Sequence, residues 1–182
     1  MHLCHKILNE TSIIKKSNLC EFLGHSWLQN WASNFLLDSP APLILNSHFF
    51  PKKVQFETLK KQNSLLKSIL PFSGNIQFAE CDHPNEAKLL HGLCHIEYCA
   101  IIAYTATLVQ FHGQYDAEFF EDLTGIIGDE GRHCEQISSF LKKVYDIEYG
   151  DLPVHSAILD GLNSTIHSLP ERILVKYSKI AN

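Results

Sequence analysis

From about Pro84 to Tyr145 apolar residues recur every three or four positions, the spacing that lines them along one side of an α-helix. Proline is favoured in the first turn of a helix and glycine just past its end, so Pro84 and Gly113 bracket one long helix reaching His112. Asp116 then stands where a side chain caps a second helix, which the pattern carries to about Tyr145. A connection of only a few residues forces the two to run antiparallel. Upstream, Leu19, Phe22, Leu23, Trp27, Trp31 and Phe35 predict an amphipathic helix over Asn18 to Leu37, ending before the turn signal Asp38-Ser39-Pro40. Prolines at 40, 42, 51 and 71 break up the stretch from Pro40 to about His83, which reads as an irregular wrap with a short helix over Phe56 to Leu70. Beyond the loop Glu148 to Pro153, two shorter helices are expected over His155 to His167 and Pro170 to Ile180. No segment carries the strict alternation of a strand, so the fold class is all-α. The organisation is one domain overall, with 1–83 as N-terminal helix and wrap and 84–182 as helical core.

The two long helices carry the chemistry. In the first, Leu90, Leu93, Ala100, Ile101, Tyr104, Leu108 and Phe111 form a stripe, and Glu97 falls in its middle, four after Leu93 and three before Ala100. In the second, Phe119, Leu123, Ile126, Ile137, Phe140 and Leu141 form a stripe interrupted by Glu130 and His133. The pattern therefore turns two carboxylates and an imidazole toward the core. Burying unpaired carboxylates costs several kcal/mol in practice or forces their pKa upward, and no Lys or Arg lies on either stripe. A metal ion would supply the charge, and Glu-x-x-His aims a carboxylate and an imidazole at one point. The competing reading is a hydrogen-bonded core pair, or a helix rotated to expose these side chains.

Composition narrows the classes without choosing among them. A chain of 182 residues has room for one domain, given that domains commonly span about 100 to 200 residues. With 15 Lys plus Arg against 20 Asp plus Glu, the formal charge is −5, and the basic residues are scattered as short pairs. That argues against nucleic-acid or anionic-membrane partners. The six cysteines have neither zinc-cage spacing nor a disulfide framework, and they read as free thiols in a reducing compartment. No stretch has eighteen uninterrupted apolar residues and the N-terminus has no cleavage signal, which predicts an intracellular, cytoplasmic protein.

The runs LLHGLCHIEYCAI from Leu89, GDEGRHCEQI from Gly128 and YGDLPVHSAILDGLNSTIHSLPERI from Tyr149, in that order, resemble an uncharacterised family of ferritin-like proteins known chiefly as a domain of unknown function. The resemblance covers about Pro84 to Ile173 and implies a ferritin-like helical bundle. Its metal site would draw one Glu from the first core helix, a Glu-x-x-His from the second, and a comparable set from two later helices. Carried over by position, the ligands are Glu97, Glu130 and His133. The expected metal is iron, with manganese or zinc as alternatives, in a mononuclear or di-iron carboxylate site. The sequence to Asn182 does not carry the later set, so the bundle expected from the resemblance is an incomplete one. Two outcomes stay open: a homodimer that pairs two exposed hairpins and restores the set, or a truncated, inactive helical scaffold or interaction module. The activity is expected to be that of a metal-binding protein, an oxidoreductase in the first case, of unknown substrate. Some ferritin-like relatives hydroxylate modified nucleosides in transfer RNA, but this acidic chain has no RNA-binding stripe to carry that across.

Other residues invite weaker readings. His91 and His95 lie one turn apart, but His95 is about 200 degrees around the helix from Glu97, so they are expected to serve packing or a neighbouring contact. Asp129 reads as a solvent or capping carboxylate, Cys94, Cys99 and Cys134 as small hydrophobes, and Tyr104 as a core aromatic. His2, Cys4 and His5 are taken to sit in a mobile terminus.

Overall fold

A computed structural model describes residues 2–30, 45–57, 82–111, 114, 116–165 and 168–171. Its elements, in chain order, are α1 (His2–Asn9), α2 (Ile13–Asn30), a short 3-10 turn (Ser47–Phe49), β1 (Phe56–Glu57), α3 (Asn85–Phe111), α4 (Ala117–Tyr145), β2 (Val154–His155) and α5 (Ala157–Asn163). The chain is predominantly helical, as its patterning predicts. Helix α3 follows Pro84 directly, and α4 begins where Asp116 Oδ1 accepts a hydrogen bond from the Phe119 N–H at 2.9 Å. Helix α4 ends at Asp146, whose left-handed backbone (φ 54°) lets its N–H reach the Leu141 and Lys142 carbonyls.

The N-terminus departs from expectation. Residues 2–9 form a helix with Cys4, Ile7 and Leu8 buried, rather than a mobile tail. Cys4 points inward and His5 outward, so they do not converge on a metal. Helix α2 starts at Ile13, five residues earlier than the pattern implied, and the predicted end near Leu37 lies outside the described residues. The expected helix over Phe56 to Leu70 begins instead as strand β1, and its remainder is likewise outside them. Strand β1 pairs in parallel with β2, Phe56 opposite Val154 and Glu57 opposite His155. Two residues are too few for a period of two to show in sequence. Of the last two predicted helices, the first is shorter, Ala157–Asn163, and the second lies mostly beyond Glu171, outside the described residues.

Packing fixes α4 from behind. Helix α2 crosses it along small residues: a Cβ on Gly131 would lie 2.8 Å from the Cys20 Cβ, so only glycine admits this approach. The Ser17 hydroxyl binds the Gly131 carbonyl (2.9 Å) and the Glu135 carboxylate (3.1 Å) across the same contact. Lys16 is fully buried and donates to the Ile7 carbonyl and, at 3.4 Å, to Leu8, closing the C-terminal end of α1. Its ammonium lies 4.9 Å from the centre of the Tyr98 ring, and burial pulls its pKa down to about 8. The Tyr98 hydroxyl donates to the Phe49 carbonyl (3.1 Å) and the Glu10 carbonyl (3.3 Å), tying α3 to the turn and to the α1–α2 link. Helix α3 is long and apolar enough to cross a bilayer, but 67% of its most apolar window is buried inside the chain, as befits a core helix.

Candidate metal centre

The α3–α4 hairpin has two unlike faces. One is closed by the loop after α4. Tyr149, buried, stacks on Tyr98 (ring centres 4.9 Å apart) and on His91 (5.6 Å). The His155 carbonyl can only accept, so at 2.9 Å it fixes the proton of His95 on Nε2. His95 Nδ1 is then the acceptor for the Tyr149 hydroxyl, also at 2.9 Å. His91 Nε2 accepts from the Gly150 N–H at 2.9 Å. Gly150 adopts φ +97°, and a Cβ there would sit 2.9 Å from Lys53 Cγ, which explains glycine in this position. Lys53 in turn pairs with Glu148 (2.7 Å) and Asp151 (3.2 Å) above the loop. Burial drives both imidazoles down to about 4, so each is neutral, as its acceptor role requires. The histidines at 91 and 95 thus latch the Tyr149-Gly150 loop onto α3.

Glu97, Glu130 and His133 lie on the other face. One ligand atom from each lies within 4.8 Å of the others, with side chains 22%, 18% and 51% exposed respectively. His133 Nδ1 is 3.5 Å from Glu130 Oε2 and 3.9 Å from Glu97 Oε2. The structure therefore brings together all three residues singled out by spacing, but on a half-open face instead of in the interior. The stripe itself needs correcting: Leu93 and Ile126 are exposed, as is Phe140, while Leu90, Ala100 and Tyr104 are half-buried. The buried side of α3 is the one carrying His91, Cys94, His95, Tyr98 and Ile102. Of the predicted stripes, Ile101, Leu108, Phe111, Leu123 and Leu141 are buried.

Electrostatically the two carboxylates are in conflict. Partial burial, the hydrogen bond and charge of Glu97, and then Asp129 push Glu130 up to about 8. The pair consequently keeps a proton at neutral pH. Among the described residues, the one ion-pair partner within 4.0 Å of either carboxylate is His133. Asp129 is exposed and paired with Arg132. Donor types also matter: two carboxylate oxygens and one imidazole nitrogen suit iron, manganese or zinc better than the all-oxygen shells of calcium or magnesium.

The cysteines near the site belong to the core. Cys94 and Cys134 face each other across the hairpin, Sγ to Sγ 3.8 Å, each also 3.8 Å from the other's carbonyl oxygen. Both are fully buried, and the hydrogen bond with Cys94, then burial, raises Cys134 well above the ordinary thiol range. They pack as small hydrophobes, as expected.

No curated protein and no solved structure matches this chain. The three runs that suggested a family lie mainly on α3, on α4 and in the loop that follows, and the loop's structural partners are His91 and His95. The family described as a protein of unknown function (DUF455) matches residues 42–177, a span that takes in the hairpin and its latch, and the chain belongs to that family.

Proposed function

We propose that this chain is a metal-binding protein with a ferritin-like helical core, in which Glu97, Glu130 and His133 hold a divalent ion. Iron is the preferred metal, with manganese or zinc as the alternatives. The observation that carries this reading is the convergence of two mutually repelling carboxylates and an imidazole, with no other cationic partner among the described residues. A divalent cation replaces the proton the carboxylates would otherwise share and removes their repulsion. Glu97 and Glu130 supply charge from facing helices, and His133 supplies the nitrogen that distinguishes a transition metal from calcium or magnesium. Packing of α2 on the back of α4, and of the Tyr149 loop on α3, holds the two helices in register behind the ligands. When bound, iron supplies one-electron redox chemistry, and oxidoreductase is the activity class we attach to the site.

A second reading is a metal-free helical scaffold, favoured by the exposed apolar residues beside the ligands. Anaerobic loading with ferrous iron separates the two. The metal reading predicts close to one iron per chain, lost in both Glu130→Ala and His133→Ala. Iron content equal in wild type and both variants would leave the scaffold.

A further inference from the structure

The open face of the hairpin has an internal order. On α4 the positions 126, 130, 133, 137, 140 and 144 follow one another at alternating steps of four and three, the spacing of a helix seam built to meet another helix. They read Ile, Glu, His, Ile, Phe, Val. On α3, Leu89, Leu93 and Ile96 lie beside Glu97. Leu89, Leu93, Ile96, Ile126, Phe140 and Val144 are between 38% and 51% exposed. Leu89, Leu93, Ile96, Phe140 and Val144 lie on the side of the trio where α3 begins and α4 finishes, and Ile126 on the other, all opposite the packing of α2.

We infer that a second copy of this chain covers this face, so that two hairpins form one four-helix core to which each copy contributes Glu97, Glu130 and His133. The inference rests on the metal reading above and adds its partner. Three features select a second copy over a different protein. The patch is self-complementary: a two-fold axis through its polar middle sets ligands against ligands and apolar ends against apolar ends. The charges balance as well. Two carboxylates and a neutral imidazole carry −2, a divalent ion brings +2, and two loaded faces meet with no net charge. Two unloaded faces would instead press two net-negative Glu97–Glu130 pairs together along a seam that has no Lys or Arg on its α4 positions. A basic partner would neutralise the carboxylates only by displacing the ion. Finally, three protein donors leave a metal's shell incomplete, and doubling this set gives one Glu from each of two helices and a Glu-x-x-His from each of the other two, a complete arrangement for a pair of ions in a helical bundle.

Association is therefore coupled to metal. The test is sedimentation equilibrium on the full 182-residue chain, first with chelator and then with manganous ion, alongside metal content and electron paramagnetic resonance. The expected result is a mass near 20.7 kDa with chelator, twice that with manganese, and a spectrum of two spin-coupled ions. Phe140→Lys should keep the helical circular dichroism but remain monomeric with metal, and Val144→Lys, at the edge of the seam, serves if the first variant misfolds. A chain that binds one ion and stays at monomer mass overturns the second copy while leaving the metal site standing. A chain that binds no ion overturns both. A dimer equally stable in chelator and insensitive to both lysine variants would place the contact elsewhere and also overturn the inference.

Discussion

The same hairpin carries two sets of titratable residues that differ in how their polar atoms are satisfied. On the closed face, His91 and His95 are buried and find the Gly150 N–H, the Tyr149 hydroxyl and the His155 carbonyl within 2.9 Å. On the open face, Glu97, Glu130 and His133 have chiefly one another. A polar group that the chain satisfies for itself is an anchor, whereas a set left in mutual repulsion stores an affinity for something from outside. Two histidines on one helix, one of them only two residues from a candidate ligand, thus belong to the fold and not to the site.

That contrast can be broken from either side. The largest effect expected is on the closed face in acid. Both imidazoles titrate near 4 in the folded chain against 6.5 unfolded, so the unfolded state takes up more protons between those values. Stability is therefore complete above about pH 6.5 and falls as the pH drops toward 4, by up to roughly 3 kcal/mol for each histidine. Denaturant midpoints across that window measure it, and a flat profile would show that the histidines do not anchor the loop. Next, Glu130→Ala should weaken metal binding by at least about 100-fold, roughly 3 kcal/mol, without lowering the stability of the metal-free chain, because it removes a repelled carboxyl. Calorimetric titration and thermal melts with chelator report the two quantities separately. On the closed face, His95→Leu should do the reverse, costing about 2 to 3 kcal/mol by orphaning the Tyr149 hydroxyl and the His155 carbonyl while leaving metal stoichiometry unchanged. Gly150→Ala should cost less, about 1 to 2 kcal/mol, from a positive φ and a close approach to the flexible Lys53 side chain. An equal loss of metal in His95→Leu and Glu130→Ala, measured on folded protein, would erase the distinction between the faces.

The sequence made the hairpin legible because its punctuation is local: Pro84 and Asp116 mark helix starts that need only neighbouring backbone to be understood. The convergence of Glu97, Glu130 and His133 was legible for a similar reason, since a spacing of three or four on a helix is geometry independent of the rest of the fold. Which face of α3 would be buried was not. Leucines and isoleucines fall nearly all round that helix, so periodicity chose the Leu90–Leu93–Glu97 side, while the chain buried the side whose histidines meet partners 54 to 60 residues away. Helix α1 was hidden because its anchor, Lys16, reads as a surface residue in sequence and is buried only by reaching back to the carbonyls of Ile7 and Leu8.

Glu97, Glu130 and His133 are proposed to hold one metal ion between them. Anomalous diffraction at the iron edge, on crystals of the full chain grown anaerobically with ferrous iron, tests it most directly. One anomalous peak is expected within bonding distance of a Glu97 oxygen, a Glu130 oxygen and a His133 nitrogen in each chain. A peak elsewhere with this trio unligated, or no peak from a chain shown to be exposed to iron, would contradict it.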